Sequence, residues 1–180
     1  MKKTLLSLAI ASLAAGQSVC AAVEKVYNEP DSVYIFSYAH PEDEGRSGLK
    51  FAWSPDGDKW LSVSDGFAYL KCDFGRWGAE KRMIKPLLEK AEDGRWYCRW
   101  QLTPSGKVWG TSHSSDLLKW APQQYVNAEK PAMPRLVTAR QIVLDKDTLN
   151  GYMQKVPYAD IEQLIRFAEH KKFRDIKVLS

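Results

Sequence analysis

Trp53-Ser54-Pro55-Asp56-Gly57-Asp58-Lys59-Trp60 is echoed sixty positions later by His113-Ser114-Ser115-Asp116-Leu117-Leu118-Lys119-Trp120. Ser, Asp, Lys and Trp fall in register in the two copies. The match continues upstream, where residues 31–38 (DSVYIFSY) lie over residues 93–100 (DGRWYCRW) with aromatics at the same two places. Each copy reads as a turn, an aromatic strand, a loop, a second strand and then S-x-D-x-x-x-W. The Ser and Asp side chains can bond the backbone of their own turn, and the Trp is suited to pack between sheets. Self-similarity of about 40 to 60 residues, carried by strands and closed by an Asp/Trp signature, is the mark of propeller blades. The expected fold is therefore mainly β: a partial β-propeller of about two four-stranded antiparallel blades, residues 31–71 and 83–126, followed by a C-terminal strand and helix.

The rest of the chain fits around those units. Strands are expected at residues 34–39, 49–53, 60–63, 83–89, 96–102, 108–112 and 123–126, with a further short one at 23–27. Residues 40–48 read as a polar loop in which Glu42, Asp43 and Glu44 are solvated, and 129–134 as a proline-marked linker. Residues 136–144 alternate enough for a strand. Residues 157–172 read as a helix, with Pro157 in its first turn and Ile161, Leu164, Ile165 and Ala168 forming a 3.6-period stripe. That stripe needs a sheet to lie on.

Residues 1–22 carry Lys2-Lys3, an apolar run and small residues before Ala21 and Ala22, the pattern of a Sec signal peptide. The run is too short to span a bilayer, so an exported, periplasmic or secreted protein is expected, with lipid attachment at Cys20 the less favoured reading. The formal charge of +4 falls to about +2 once Lys2 and Lys3 leave with the leader, too balanced to argue for nucleic acid. Cys72 and Cys98 remain as a pair that could form a disulfide in an oxidising compartment or stay as buried thiols. The scattered His and Cys offer no zinc spacing, and no cofactor is expected. Seven Trp suit either packed β-structure or a sugar-binding face, and composition does not separate the two.

Between the repeats lies Cys72-Asp73-Phe74-Gly75-Arg76-Trp77-Gly78-Ala79-Glu80-Lys81-Arg82-Met83-Ile84-Lys85-Pro86. It mixes glycines, rings and charges in the way of loops that line a site on a rigid sheet. This segment, with residues 31–39, 45–54 and 112–120, resembles the exported glycoside hydrolase family 43-like, arabinosidase-type proteins of Bacteroidetes, and Gly75-Arg76-Trp77-Gly78 followed by Lys81-Arg82-Met83-Ile84 is the most specific part.

The resemblance implies a five-bladed propeller and a carbohydrate ligand, an oligosaccharide or polysaccharide bearing arabinofuranosides or xylosides. Two blades do not close such a ring, so the chain resembles a truncated or partial copy, or one part of an oligomer or partner assembly that completes it. Inverting glycoside hydrolysis needs one protonated and one ionised carboxyl about 6.5 to 9.5 Å apart. Asp73 and Glu80 are the candidate acid–base pair. Arg76, Trp77 and Arg82 are the candidate sugar contacts, since Arg forks oxygens and Trp stacks on a ring. Where an Asp-Pro pair would be familiar in that family, this chain has Lys85-Pro86. Two functions stay open: a glycosidase of arabinofuranosidase or xylosidase type, and a non-catalytic carbohydrate-binding or scaffold protein, which includes a relic of a glycosidase.

Overall fold

A computed structural model describes residues 30–63, 66–127, 139–144, 149–170 and 178–179. The expected leader at 1–22, the strand at 23–27, the linker at 129–134, the start of the strand at 136–144 and the last residues of the tail helix lie outside them. Among the described residues ten strands and one α-helix follow in order: β1 Ser32–Tyr38, β2 Lys50–Ser54, β3 Trp60–Val63, β4 Ile84–Lys90, β5 Trp96–Gln101, β6 Val108–Ser114, β7 Gln124–Asn127, β8 Arg140–Leu144, β9 Leu149–Pro157, α1 Glu162–His170 and β10 Val178–Leu179. No helix among the described residues is long and apolar enough to cross a membrane.

The strands form two sheets. One is a curled half-barrel of six strands in the order β10-β3-β2-β1-β9-β8, and the other is the meander β4-β5-β6-β7. The second matches the expected four-stranded unit. The first does not, because β8, β9 and β10 from the C-terminal third join β1–β3 on both edges. Its longest pairing is β1 against β9, running antiparallel from Ser32 opposite Pro157 to Tyr38 opposite Gly151. Residues 149–157 are thus a strand, and Pro157 closes that strand instead of opening a helix. Pro has no N–H to give a ladder, so it is tolerated at a strand end. A short 3-10 turn then leads into α1, five residues later than the periodicity suggested.

Both faces of β1 are buried. Val33 and Ile35 join a core that also holds Phe51 and Val63 of the first sheet, Leu88, Trp96 and Trp100 of the second, and the stripe Ile161, Leu164, Ile165 and Ala168 of α1. Burying each such side chain stabilises by about 1.5 to 3 kcal/mol, which accounts for the docking of the helix. On the opposite face Phe36, Tyr38, Ala52, Trp60, Leu149, Met153 and Leu179 form a second cluster. Phe36 and Trp60 stand two strands apart, yet their rings meet edge to face at 5.7 Å, with small Ala52 between them. Such an approach requires the sheet to curl towards that face.

The sheets are stitched together along β4, the edge strand of the meander. The Gln154 amide of β9 donates to the Leu88 carbonyl at 2.8 Å and accepts the Lys90 N–H at 3.4 Å, while Ser37 of β1 donates to the Pro86 carbonyl at 3.1 Å. Side chains thereby satisfy an edge that would otherwise present unpaired backbone groups.

The repeat is realised bond for bond in its turns. Ser54 Oγ accepts the Gly57 N–H at 2.8 Å, and Asp56 Oδ1 accepts the Asp58 and Lys59 N–H groups at 2.8 and 3.0 Å. In the second copy Ser114 Oγ accepts the Leu117 N–H at 2.8 Å, and Asp116 Oδ1 accepts those of Leu118 and Lys119 at 2.9 and 2.8 Å. The third residue is left-handed in each, Gly57 at φ 90° and Leu117 at φ 64°. A non-glycine there costs about 1 to 2 kcal/mol, which burial of the Leu117 side chain in the main core offsets.

The copies part after the Lys. Trp60 begins β3, is 1% exposed and donates to the Gly57 carbonyl at 3.1 Å. Trp120 is only partly buried against the main core, its indole N–H has no partner, and β7 starts at Gln124. The expectation that both rings are equivalent staples is thus corrected. Pro122 follows closely after Trp120, and a residue without an N–H delays the ladder.

The turns carry a pH signature. Backbone N–H bonds from Lys59 and Asp58, then the Ser54 hydroxyl, hold the Asp56 carboxyl down at about 2. Because the folded value lies below the unfolded one of 3.8, Asp56 contributes stability above pH 3.8 that disappears as pH falls through about 2. Asp116 is lowered as well, its backbone and Ser114 bonds outweighing the opposing effect of burial. Denaturant midpoints measured from pH 5 down to pH 2 should therefore fall with a slope that Asp56→Asn and Asp116→Asn make shallower; an unaltered acid limb in the double variant would refute the assignment.

Candidate functional site

The loop between the sheets is braced at several points. Glu80 closes a 3-10 turn at Gly78–Glu80, and its Oε2 accepts the N–H groups of Arg76 at 3.0 Å and Trp77 at 3.2 Å. Gly75 is required for that closure: it sits at φ 75°, and a Cβ there would lie 2.2 Å from Glu80 Oε2. Arg82 folds back so that Nε donates to the Ala79 carbonyl at 2.9 Å while its guanidinium pairs with Glu44 at 2.9 Å. Glu44 also pairs with Arg46 at 2.7 Å. At the other end Asp73 accepts the Tyr125 hydroxyl at 2.6 Å, and the Asp73 N–H points to Gln123 and Tyr125 of β7 and the residue before it. Burial, and then the bond to Asp73, push the Tyr125 phenol well up, so it stays a donor to Asp73 across the working pH range.

Within that brace Trp77 is 73% exposed. A loop fixed by carboxylate-to-backbone bonds, holding a bare indole beside the exposed Arg76, is a preformed flat platform. Of the five residues singled out from sequence, Arg76, Trp77 and Glu80 gather in this turn. Asp73 and Arg82 lie on its two flanks, one tied to β7 and the other to Glu44. The Glu80 oxygen that binds two N–H groups serves the loop's own shape. The Cys72 and Cys98 thiols are free: Cys72 Sγ lies 3.5 Å from the Tyr125 hydroxyl, and Cys98 is enclosed in the main core on β5. Burial raises the Cys98 thiol far above its ordinary value, so it is inert.

Beyond Arg82 lies a cleft of about 250 Å³ lined by Ala39, Pro41, Met83 and Pro104, with His40, Glu44, Arg82, Lys85 and Asn150 as its polar groups. Sequence reasoning placed residues 40–48 in a solvated loop and missed this cleft. Asp43 is not merely solvated there, since its two oxygens accept the Gly45 and Ser47 N–H groups at 2.9 and 2.7 Å. The loop is pinned to the start of β4 by the Met83 N–H, which donates to the Gly45 carbonyl at 3.2 Å. Gly45 is irreplaceable in this packing, because a Cβ would lie 2.2 Å from the Met83 carbonyl oxygen. Among the described residues three non-glycines have positive φ, and two of them, Glu44 at 57° and Lys85 at 48°, line the cleft. Strain of this kind costs on the order of 1 to 3 kcal/mol and collects where a site must be shaped. Lys85 owes its conformation to the register shift between Ile84 and Leu87, a bulge that re-aims its side chain.

A buried carboxyl lies elsewhere. Burial raises Glu89 above its usual range, opposed by the Ala139 N–H and by Arg99, and it sits at the sheet junction, outside the loop. No group of three or more His, Cys, Asp or Glu among the described residues is placed to hold a metal ion.

No family model matches this chain, and neither a curated protein nor a solved structure matches it.

Proposed function

We propose that the chain is a carbohydrate-active protein of glycoside hydrolase family 43-like type that binds arabinofuranoside- or xyloside-bearing polysaccharide. In this reading β1–β3 and β4–β7 are two propeller-type units, and the leader at residues 1–22 directs the protein to the periplasm or beyond. The turns with identical bond sets support the first part. The observation that carries the ligand class is Trp77, an indole left 73% exposed on a loop whose every end is tied down. Leaving so large a ring in water has no folding benefit, whereas a fixed aromatic plane next to an Arg meets the apolar face of a sugar ring and its hydroxyls.

Binding without hydrolysis is the form that the geometry favours. Asp73 is engaged by Tyr125, and Glu80 is engaged by two backbone N–H groups, so each already has a structural partner.

Trp77→Ala should weaken affinity for arabino- or xylo-oligosaccharides by about 30-fold, the loss expected of an interface anchor worth about 2 kcal/mol, with an unchanged melting temperature. Isothermal titration beside thermal unfolding checks both halves. A variant that binds normally, or one that unfolds, would remove Trp77 as the platform. Release of sugar from nitrophenyl arabinofuranoside or xyloside by the wild type, abolished in Asp73→Asn and Glu80→Gln, would instead establish the hydrolase.

A further inference from the structure

We propose that the cleft beside Arg82 takes the carboxylate of an acidic sugar, so that the glycan held on the Trp77 platform carries uronic acid branches. This rests on the saccharide reading and names the ligand's charge. Six cations surround platform and cleft: Arg46, Lys71, Arg76, Lys81, Arg82 and Lys85. The carboxylates nearby are tied up in the fold, Glu44 by two guanidinium groups, Asp43 and Glu80 by backbone N–H groups and Asp73 by Tyr125. Along the cleft and the surface adjoining it, the cations Arg46, Lys71, Lys81, Arg82 and Lys85 stand against one lining carboxylate, Glu44, so the surface offered to a ligand is positive.

Lys85 is the sharpest part of that surface. It is exposed, lines the cleft, and its ammonium makes no hydrogen bond or ion pair among the described residues. It is also held at φ 48° directly before Pro86, where the chain is sterically restricted. Gly would occupy that position without strain, so the lysine side chain is retained against a local cost. Its neighbours complete a carboxylate seat. Arg82 uses two of its donors on Ala79 and Glu44, leaving three of the five that a guanidinium has. Asn150 accepts from Gln141 at 2.8 Å through Oδ1, which leaves its amide NH2 to donate. The apolar walls of Ala39, Pro41, Met83 and Pro104 offer few polar groups of their own and lower the local dielectric around those charges. At about 250 Å³ the cleft lies just under the usual size of about 300 to 1,000 Å³ for ligand pockets. It has room for one ring, which suits a branch and not a main chain.

A sulfate ester on a sugar would share this charge, and the experiment separates the two. The full chain is titrated calorimetrically with a neutral xylo-oligosaccharide, the same oligomer bearing one glucuronic acid, its methyl ester, and an O-sulfated oligomer. The acid should bind about tenfold tighter than its ester, and the advantage should shrink with added salt. Lys85→Gln should erase the advantage. Lys85→Gly should erase it too while holding or raising the melting temperature, because the strain at φ 48° is relieved. Equal, Trp77-dependent affinity for acid and ester would overturn the uronate assignment and leave the saccharide reading standing. No binding of any oligomer would overturn both. Tighter binding of the sulfated oligomer with the same Lys85 dependence would replace the carboxylate by a sulfate ester.

Discussion

Trp60→Ala is expected to lower the unfolding free energy by about 3 to 5 kcal/mol, and Trp120→Ala by clearly less. The indole of Trp60 is 1% exposed, meets Phe36 edge to face at 5.7 Å, and spends its N–H on the Gly57 carbonyl. Removing it opens a cavity in the curled face of the first sheet, where Ala52 is too small to refill the space. Trp120 lies partly exposed against the other core, with an indole N–H that has no partner, so its truncation also removes an unsatisfied donor. For a chain of this length the Trp60 loss corresponds to a fall in melting temperature on the order of 10 °C. Urea unfolding of both variants checks the contrast, and equal losses would show that the rings are equivalent after all.

A larger local conflict is expected from Gly151→Ala. A Cβ at that position would stand 2.2 Å from the Ser37 carbonyl oxygen and 2.7 Å from the Phe36 ring. The nearer atom is backbone in the central strand and cannot step aside without shifting β1 against β9. Overpacking costs about 1 to 3 kcal/mol, and the upper end is expected where backbone has to move. Gly78→Ala is the matched control, since nothing lies within 4 Å of a Cβ there, and it should change stability by less than about 0.5 kcal/mol. If the Gly151 variant melts with the wild type, the β1–β9 register is wrong.

Gly151 also shows where the sequence stops being legible. In a strand pattern a glycine reads as a breaker, and Asn150, Gln154 and Lys155 further blur the period-two alternation of β9. Each has a tertiary reason: Gly151 makes room for Phe36, and Gln154 points its amide at the backbone of another sheet. Only the fold supplies those reasons. The strands of the two repeats were readable because β-branched and aromatic residues alternate there and because the Ser/Asp turns repeat. The helix stripe was readable for the same local reason, with its start misjudged because Pro157 suits a strand end as well as a first helical turn.

The site divides in the same way. The Gly75-to-Arg82 loop announced itself through adjacent glycines, rings and charges. The cleft did not, because its walls come from the loop after β1, the start of β4, Pro104 and β9. The pairing of Glu44 with Arg82 spans nearly forty residues, a separation at which charge spacing conveys nothing. A left-handed Lys85 before a proline has no local signature.

The side-chain amide that fastens β4 to the neighbouring sheet has a bearing on selectivity. With Gln154 and Ser37 clamping β4 and the Met83 N–H tying the 40–48 loop to its start, two walls of the recess are fixed to each other, and the shape that a solute encounters is the shape it must match. Discrimination then works by turning away misfits, not by embracing the right molecule. Capture should be as quick as diffusion and orientation permit, with no slow conformational phase in stopped-flow traces.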